Sequence, residues 1–116
     1  MSGWVDVGPA SVLASEGRLV ARVGGREIGV LCDADGSVWA VRNRCPHHGA
    51  PLALGSLRRR VAGAPGRYET SDQRALRCPW HGWEFDPGTG ACLDDPAMRV
   101  AVYPARIADS RVLVRT

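Results

Sequence analysis

Two short segments of this chain carry side chains that bind metals: Cys45-Pro46-His47-His48-Gly49 and Cys78-Pro79-Trp80-His81-Gly82. Each offers a thiolate and an imidazole at a spacing that one loop can close, so Cys-x-His and Cys-x-x-His can converge on one centre. Pro46 and Pro79 fix φ directly after each cysteine. Gly49 and Gly82 can take backbone angles that other residues resist, which lets each loop curl tightly. Cys45, His47, Cys78 and His81 thus form a Cys2His2 set compatible with zinc or with iron–sulfur chemistry. Two near-equivalent loops, each with one cysteine and one histidine, are also what a two-iron cluster with asymmetric ligation needs. A Cys–His nucleophilic pair would require an orienting partner and an oxyanion arrangement, and nothing nearby marks one. Cys32 and Cys92 lie in apolar strand segments and read as small buried hydrophobes. His48 reads as a loop or supporting residue, and Trp80 and Trp83 are expected to pack over the loops and restrict water.

The elements that must position these loops are short strands. Arg18–Val23 and Arg26–Cys32 are separated by Gly24-Gly25 alone, a two-residue hairpin signal. Asp33–Ser37 reads as a turn into a strand at Val38–Arg42. Its Asp-x-Asp-Gly start lacks the remaining ligand positions of a calcium loop. Further strands are expected at Ala75–Arg77, Trp83–Phe85, Ala91–Leu93, Val100–Tyr103 and Arg111–Arg115, with turns at Asp86–Gly90 and Ala108–Ser110. A short helical turn is expected at Pro9–Glu16, and no other segment has helical periodicity. Arg58–Arg74, with Gly63, Pro65 and Gly66, reads as an exposed loop. Many short strands with Gly/Pro turns predict an all-β chain, a small antiparallel β-barrel or sandwich.

Size and composition bound what such a chain can do. At 116 residues it fits one small domain with one core. Hydrophobic residues make up 45% and charged residues 23%, which excludes wholesale disorder. The longest apolar runs are a few residues, far below the roughly 20 of a membrane span. The N-terminus shows neither a basic segment nor an apolar stretch of signal-peptide type. A cytoplasmic location is therefore expected, and in a reducing compartment four cysteines point to metal binding rather than disulfides. All basic residues are arginine, and the net charge of +3 is modest. The run Arg58-Arg59-Arg60 has no helix-turn-helix or aromatic stacking pattern beside it, so no nucleic-acid partner is expected.

The two metal-binding segments and their flanks resemble the Rieske iron–sulfur family. The likeness runs through Cys45-Pro-His-His-Gly-Ala-Pro-Leu52 and Cys78-Pro-Trp-His-Gly-Trp-Glu-Phe-Asp86, then Thr89–Leu93 and Val102–Ile107, and covers about Val5 to Val114. One departure is the 30 residues between His47 and Cys78, more than in the commonest members. The resemblance implies a single Rieske domain over residues 1–116, with a cluster-binding part at about 43–93. It implies a [2Fe–2S] cluster with Cys45 and Cys78 on one iron and His47 and His81 on the other. Thiolates stabilise the oxidised iron, whereas neutral imidazoles leave their iron easier to reduce. Oxygenases of the family carry a second iron held by two histidines and a carboxylate. This chain has three histidines, so oxygenation in this polypeptide is not expected. Respiratory members carry a membrane anchor and an extra cysteine in each loop, at positions occupied here by Ala50 and Trp80.

The expected function is one-electron transfer as a ferredoxin-type carrier between a reductase and a terminal oxygenase or other oxidoreductase, without substrate turnover of its own. The alternatives are a small Rieske-like subunit of an assimilatory reductase, such as nitrite reductase, and a subunit with a structural zinc. A basic rim of Arg42, Arg44 and Arg58–Arg60 is a candidate docking surface. High-potential members place hydroxyl donors at the positions of Trp83 and Phe85, which predicts a low potential here.

Overall fold

A computed structural model describes residues 3–46, 48–62, 66–67, 69–80 and 82–116. In chain order its elements are β1 (Trp4–Pro9), α1 (Ala10–Glu16), β2 (Arg18–Val23), β3 (Arg26–Cys32), β4 (Val38–Arg42), a 3-10 turn (Leu52–Leu54), β5 (Ser56–Ala62), β6 (Glu69–Arg77), β7 (Glu84–Phe85), β8 (Val102–Tyr103), β9 (Ala105–Ala108) and β10 (Arg111–Arg115). The expected hairpin forms across Gly24 and Gly25, with Val23 opposite Arg26 and Arg18 opposite Leu31. The Asp33–Ser37 turn closes with the Asp33 N–H on the Ser37 carbonyl at 2.8 Å and delivers the chain into β4. Three antiparallel sheets result, ordered β1-β10-β9, β2-β3-β4-β8 and β5-β6-β7. Among the described residues the sheets do not close into a barrel, so the fold is the small sandwich. No helix is long and apolar enough to cross a membrane among the described residues.

The central sheet buries both of its faces, and this splits the single core that chain length predicts into two. Successive side chains of a strand point to opposite faces. Ile28, Val30 and Ala40 therefore join Leu13, Val112 and Val114 on one side. Leu31 and Val41 join Cys45, Ala50, Leu52, Leu76, Cys78, Phe85, Cys92 and Val100 on the other. Gly29 faces the 3-10 turn, where an added Cβ would stand 2.8 Å from the Ala53 Cβ, so this strand can carry no side chain at that point. The helical turn ends at Gly17, whose N–H donates to the Leu13 carbonyl at 2.8 Å.

The exposed loop expected at Arg58–Arg74 is instead mostly sheet, and this corrects the reading from sequence. β5 and β6 pair antiparallel, with Leu57 opposite Leu76 and Ser56 opposite Arg77. Leu57 and Leu76 pack against the core that holds the cysteines. The arginines between them find carboxylates: Arg58 and Arg60 lie 3.7 and 3.6 Å from Glu84, and Arg60 lies 3.4 Å from Asp94. Arg74 of β6 reaches Asp33 and Asp35 in the β3–β4 turn. Hydrogen bonds from Ser37, then the Arg74 and Arg59 charges, hold the Asp35 carboxyl below its usual range. Gly63 and Pro65, which prompted the loop reading, lie outside the described residues. β1 was not foreseen, β9 falls mostly within the Val102–Ile107 stretch that the resemblance covers, the strand expected at Val100–Tyr103 shortens to β8, and Ala91 and Cys92 form isolated bridges to Arg99 and Phe85.

Candidate metal centre

Each cysteine heads a loop that leaves a strand, and both loops close in the same way. In the first, after β4, the Cys45 N–H donates to the Ala50 carbonyl at 2.8 Å and the Gly49 N–H returns to the Cys45 carbonyl at 2.8 Å. In the second, after β6, the Cys78 N–H donates to the Trp83 carbonyl at 2.7 Å and the Gly82 N–H returns to the Cys78 carbonyl at 3.1 Å. Gly49 and Gly82 both have positive φ, 78° and 72°. The duplicated Cys-Pro-x-x-Gly sequence thus gives a duplicated backbone turn with a cysteine at the same place in each.

Both cysteines are buried, Cys45 to 1% and Cys78 to 3% exposure, in one packed cluster with Ala50, Leu52, Leu76 and Phe85. No disulfide joins any of the four cysteines. Two buried thiols at equivalent positions of twin loops present soft donors from the dry side of a centre, which fits a cluster that needs two thiolates. His47 and His81, the nitrogen donors expected from sequence, lie outside the described residues. Among the described residues no group of three or more histidine, cysteine or carboxylate side chains assembles as a metal site.

Around the loops several expectations hold and one does not. His48 is exposed, as suits a loop residue. Cys92 is buried in the cysteine-bearing core, and Cys32 packs partly buried against the other core. Trp83 packs on the cysteine-bearing core, but Trp80 is 58% exposed and does not cover the loop. Pro79 and Trp80 form the tip of the second turn, which carries them outward. Ala50 is fully buried.

Sequence reasoning missed Asn43, the one buried polar side chain among the described residues. Its Oδ1 accepts the Ala53 N–H at 2.7 Å, and its Nδ2 donates to Glu27 Oε1 at 2.7 Å. Asn43 therefore ties the end of β4 to the 3-10 turn, fixing both ends of the first cysteine loop against the β2–β3 hairpin. An asparagine between two arginines gave no signal beyond that of an ordinary turn residue.

The charge near the loops is unevenly compensated. Arg42, Arg44 and Arg99 line a cleft of about 330 Å³ with Pro46 beside the first loop. Arg18 and Arg77 line another of about 430 Å³ with Leu54, Cys78 and Pro79 beside the second. None of Arg42, Arg44, Arg77 and Arg99 has a carboxylate partner among the described residues, whereas Arg58, Arg60 and Arg74 do. The rim expected from sequence is thus divided: Arg42 and Arg44 stay open, Arg58 and Arg60 turn toward Glu84 and Asp94, and the Arg59 charge acts on Asp35.

The small sandwich with its twin cysteine loops agrees with a match at the level of a protein family. The model of the Rieske [2Fe-2S] domain matches residues 3–104, and the chain belongs to this family, whose cofactor is a Rieske-type [2Fe–2S] cluster. The oxidoreductase NdmD of Pseudomonas putida is 35% identical over 101 residues, 87% of this chain and 15% of NdmD. The chain spans 15% to 19% of the length of three curated relatives that it matches at 32% to 35% identity. Two solved structures match over almost their whole length. The ferredoxin of carbazole 1,9a-dioxygenase from Nocardioides aromaticivorans is 28% identical with a TM-score of 0.72, covering 98% of each chain. A Mycobacterium tuberculosis protein assigned as an NADH-dependent nitrite reductase small subunit is 29% identical with a TM-score of 0.74, covering 96% of this chain and 92% of its own.

Proposed function

We propose that this chain is a ferredoxin-type one-electron carrier between a reductase and a terminal oxygenase. Residues 1–116 act as one Rieske domain, with Cys45 and Cys78 holding one iron and His47 and His81 the other. The observation that carries the reading is the twinned loop: two buried thiols at equivalent turns, in a fold shared with the ferredoxin of carbazole 1,9a-dioxygenase. The bound cluster supplies a single-electron couple at the protein surface. The chain's own residues do the rest. Leu31, Val41, Leu76 and Phe85 exclude water from the thiolate side. Asn43 and the paired backbone bonds hold the loops in place, and a rigid setting limits reorganisation when charge changes. Exposed Pro46, His48, Pro79 and Trp80 leave the loop tips open to a partner.

Four cysteines without a disulfide suit a reducing compartment, and we place the protein in the cytoplasm. On this reading the chain passes its electron to the partner and turns over no substrate of its own. A second reading, a small subunit of an assimilatory nitrite reductase, is favoured by the 29% identity and 0.74 TM-score to the Mycobacterium tuberculosis protein. The test is anaerobic reduction of purified holoprotein with a ferredoxin reductase, followed by mixing with a Rieske oxygenase or with a nitrite reductase large subunit. The carrier reading expects reduction by one electron per chain and reoxidation by the oxygenase. Stable co-elution with, and reoxidation only by, the large subunit would select the second reading. A colourless, zinc-containing protein would overturn both.

A further inference from the structure

The twin loops repeat one feature beyond their donors. An arginine stands directly before each cysteine, Arg44 and Arg77, and in both loops its guanidinium lies over the loop's own glycine. A Cβ at Gly82 would stand 2.7 Å from Arg77 Nη2 and 3.0 Å from its Nε. A Cβ at Gly49 would stand 3.7 Å from Arg44 Nε and 3.8 Å from its Nη2. The glycines thus give seats to two cations, and Arg77 is seated more closely. Neither guanidinium has a carboxylate partner among the described residues, unlike Arg58, Arg60 and Arg74. An arginine stays charged at every working pH.

We propose that Arg44 and Arg77 are potential-setting residues: each lays a permanent cation, in no ion pair among the described residues, along its own ligand loop. The proposal rests on the assignment of Cys45 and Cys78 as ligands. One-electron reduction adds one negative charge to the centre, and a nearby cation stabilises the reduced form more than the oxidised one. The two arginines therefore raise the potential and offset part of the loss of hydroxyl donors at Trp83 and Phe85. Because both side chains are exposed, the effect is moderate and screened by salt.

The experiment is voltammetry of the holoprotein and its Arg77→Gln, Arg77→Lys, Arg44→Gln and Arg106→Gln variants, with the visible spectrum checking cluster content. Arg77→Gln is expected to lower the equilibrium constant for reduction about threefold to tenfold, which is about 28 to 59 mV at 59 mV per tenfold. Arg44→Gln is expected to show a smaller fall in the same direction. Arg77→Lys should stay near the parent, and Arg106→Gln, whose guanidinium sits over Trp4 in the sheet away from the loops, should not shift. The shift should shrink in about 1 M salt. An unshifted Arg77→Gln, a lysine variant as low as the glutamine one, or an equal shift in Arg106→Gln would overturn the proposal. If Arg77→Gln loses its cluster, the sign of the Arg44→Gln shift decides. Cys78→Ala separates the two levels: cluster loss there with unshifted arginine variants overturns the arginine proposal alone, and cluster retention overturns the ligand assignment and this proposal with it.

Discussion

Replacing Asn43 with alanine removes two bonds from one buried site, and the structure allows the cost to be worked out. The Ala53 N–H loses its acceptor, 2.7 Å away, at a residue of zero exposure where no water replaces it. A buried donor left unpaired costs about 1–3 kcal/mol. The second lost bond, from Asn43 Nδ2 to Glu27 Oε1, ends on an exposed residue that water can rehydrate, so about 1 kcal/mol is a fair share. Together these predict a loss of about 2–4 kcal/mol. At roughly 4 °C per kcal/mol for a chain of this size, the midpoint of unfolding should fall by about 8–16 °C. Scanning calorimetry of the holoprotein reads that shift. Hydrogen exchange locates it: the Ala53 amide should lose protection before the amides of β2 and β3. A midpoint lowered by less than about 3 °C, or an Ala53 amide protected as in the parent, would refute the role given to Asn43.

Phe85 is fully buried in the packed cluster of Cys45 and Cys78. With no hydroxyl donor there, the midpoint should lie near the low end of the Rieske span, about −150 mV. Phe85→Tyr should raise it by the worth of one hydrogen bond, about 20–65 mV, and an unchanged midpoint in voltammetry would show that the hydroxyl does not reach a thiolate. Stopped-flow electron transfer to the partner should slow as salt rises, since charges are screened within about 8–10 Å. It should also slow severalfold in Arg42→Gln and Arg99→Gln but little in Arg58→Gln, whose charge Glu84 already meets; rates indifferent to salt would remove the docking idea. His47→Ala and His81→Ala should lose the visible Rieske spectrum and unfold at lower temperature, because metal binding is coupled to folding. His48→Ala should keep both, and the reverse pattern would overturn the ligand assignment.

The cysteine loops were legible because their signal is local. A donor, a proline and a glycine at fixed offsets dictate a turn whatever lies around it, and two copies predict two equivalent turns. The β2–β3 hairpin was legible for the same reason, since Gly24-Gly25 leaves little choice of loop. The β5–β6 pair was not. Its apolar residues are only Leu57, Val61, Ala62, Ala75 and Leu76, and the arginines beside them make sense only once Glu84, Asp94 and the Asp33–Asp35 turn are in place. Those partners are distant in sequence, so no local pattern announces them. Asn43 was hidden in the same way, because its acceptor and donor roles lie on Ala53 and Glu27. Trp80 was misplaced by its chemistry: a large aromatic ring suggests burial, but the turn that orients Cys78 inward carries the residue two places on outward.

We propose that two thiolates and two imidazoles from these loops hold the [2Fe–2S] cluster. Pulsed electron paramagnetic resonance of the dithionite-reduced holoprotein tests it most directly, because the unpaired electron couples to the nuclei of its ligands. The expected result is one spin per cluster with hyperfine couplings from two directly bound nitrogens, each lost in turn in His47→Ala and His81→Ala if any cluster survives there. A reduced cluster without bound-nitrogen couplings, or a protein that gives no paramagnetic signal and carries zinc, would contradict it.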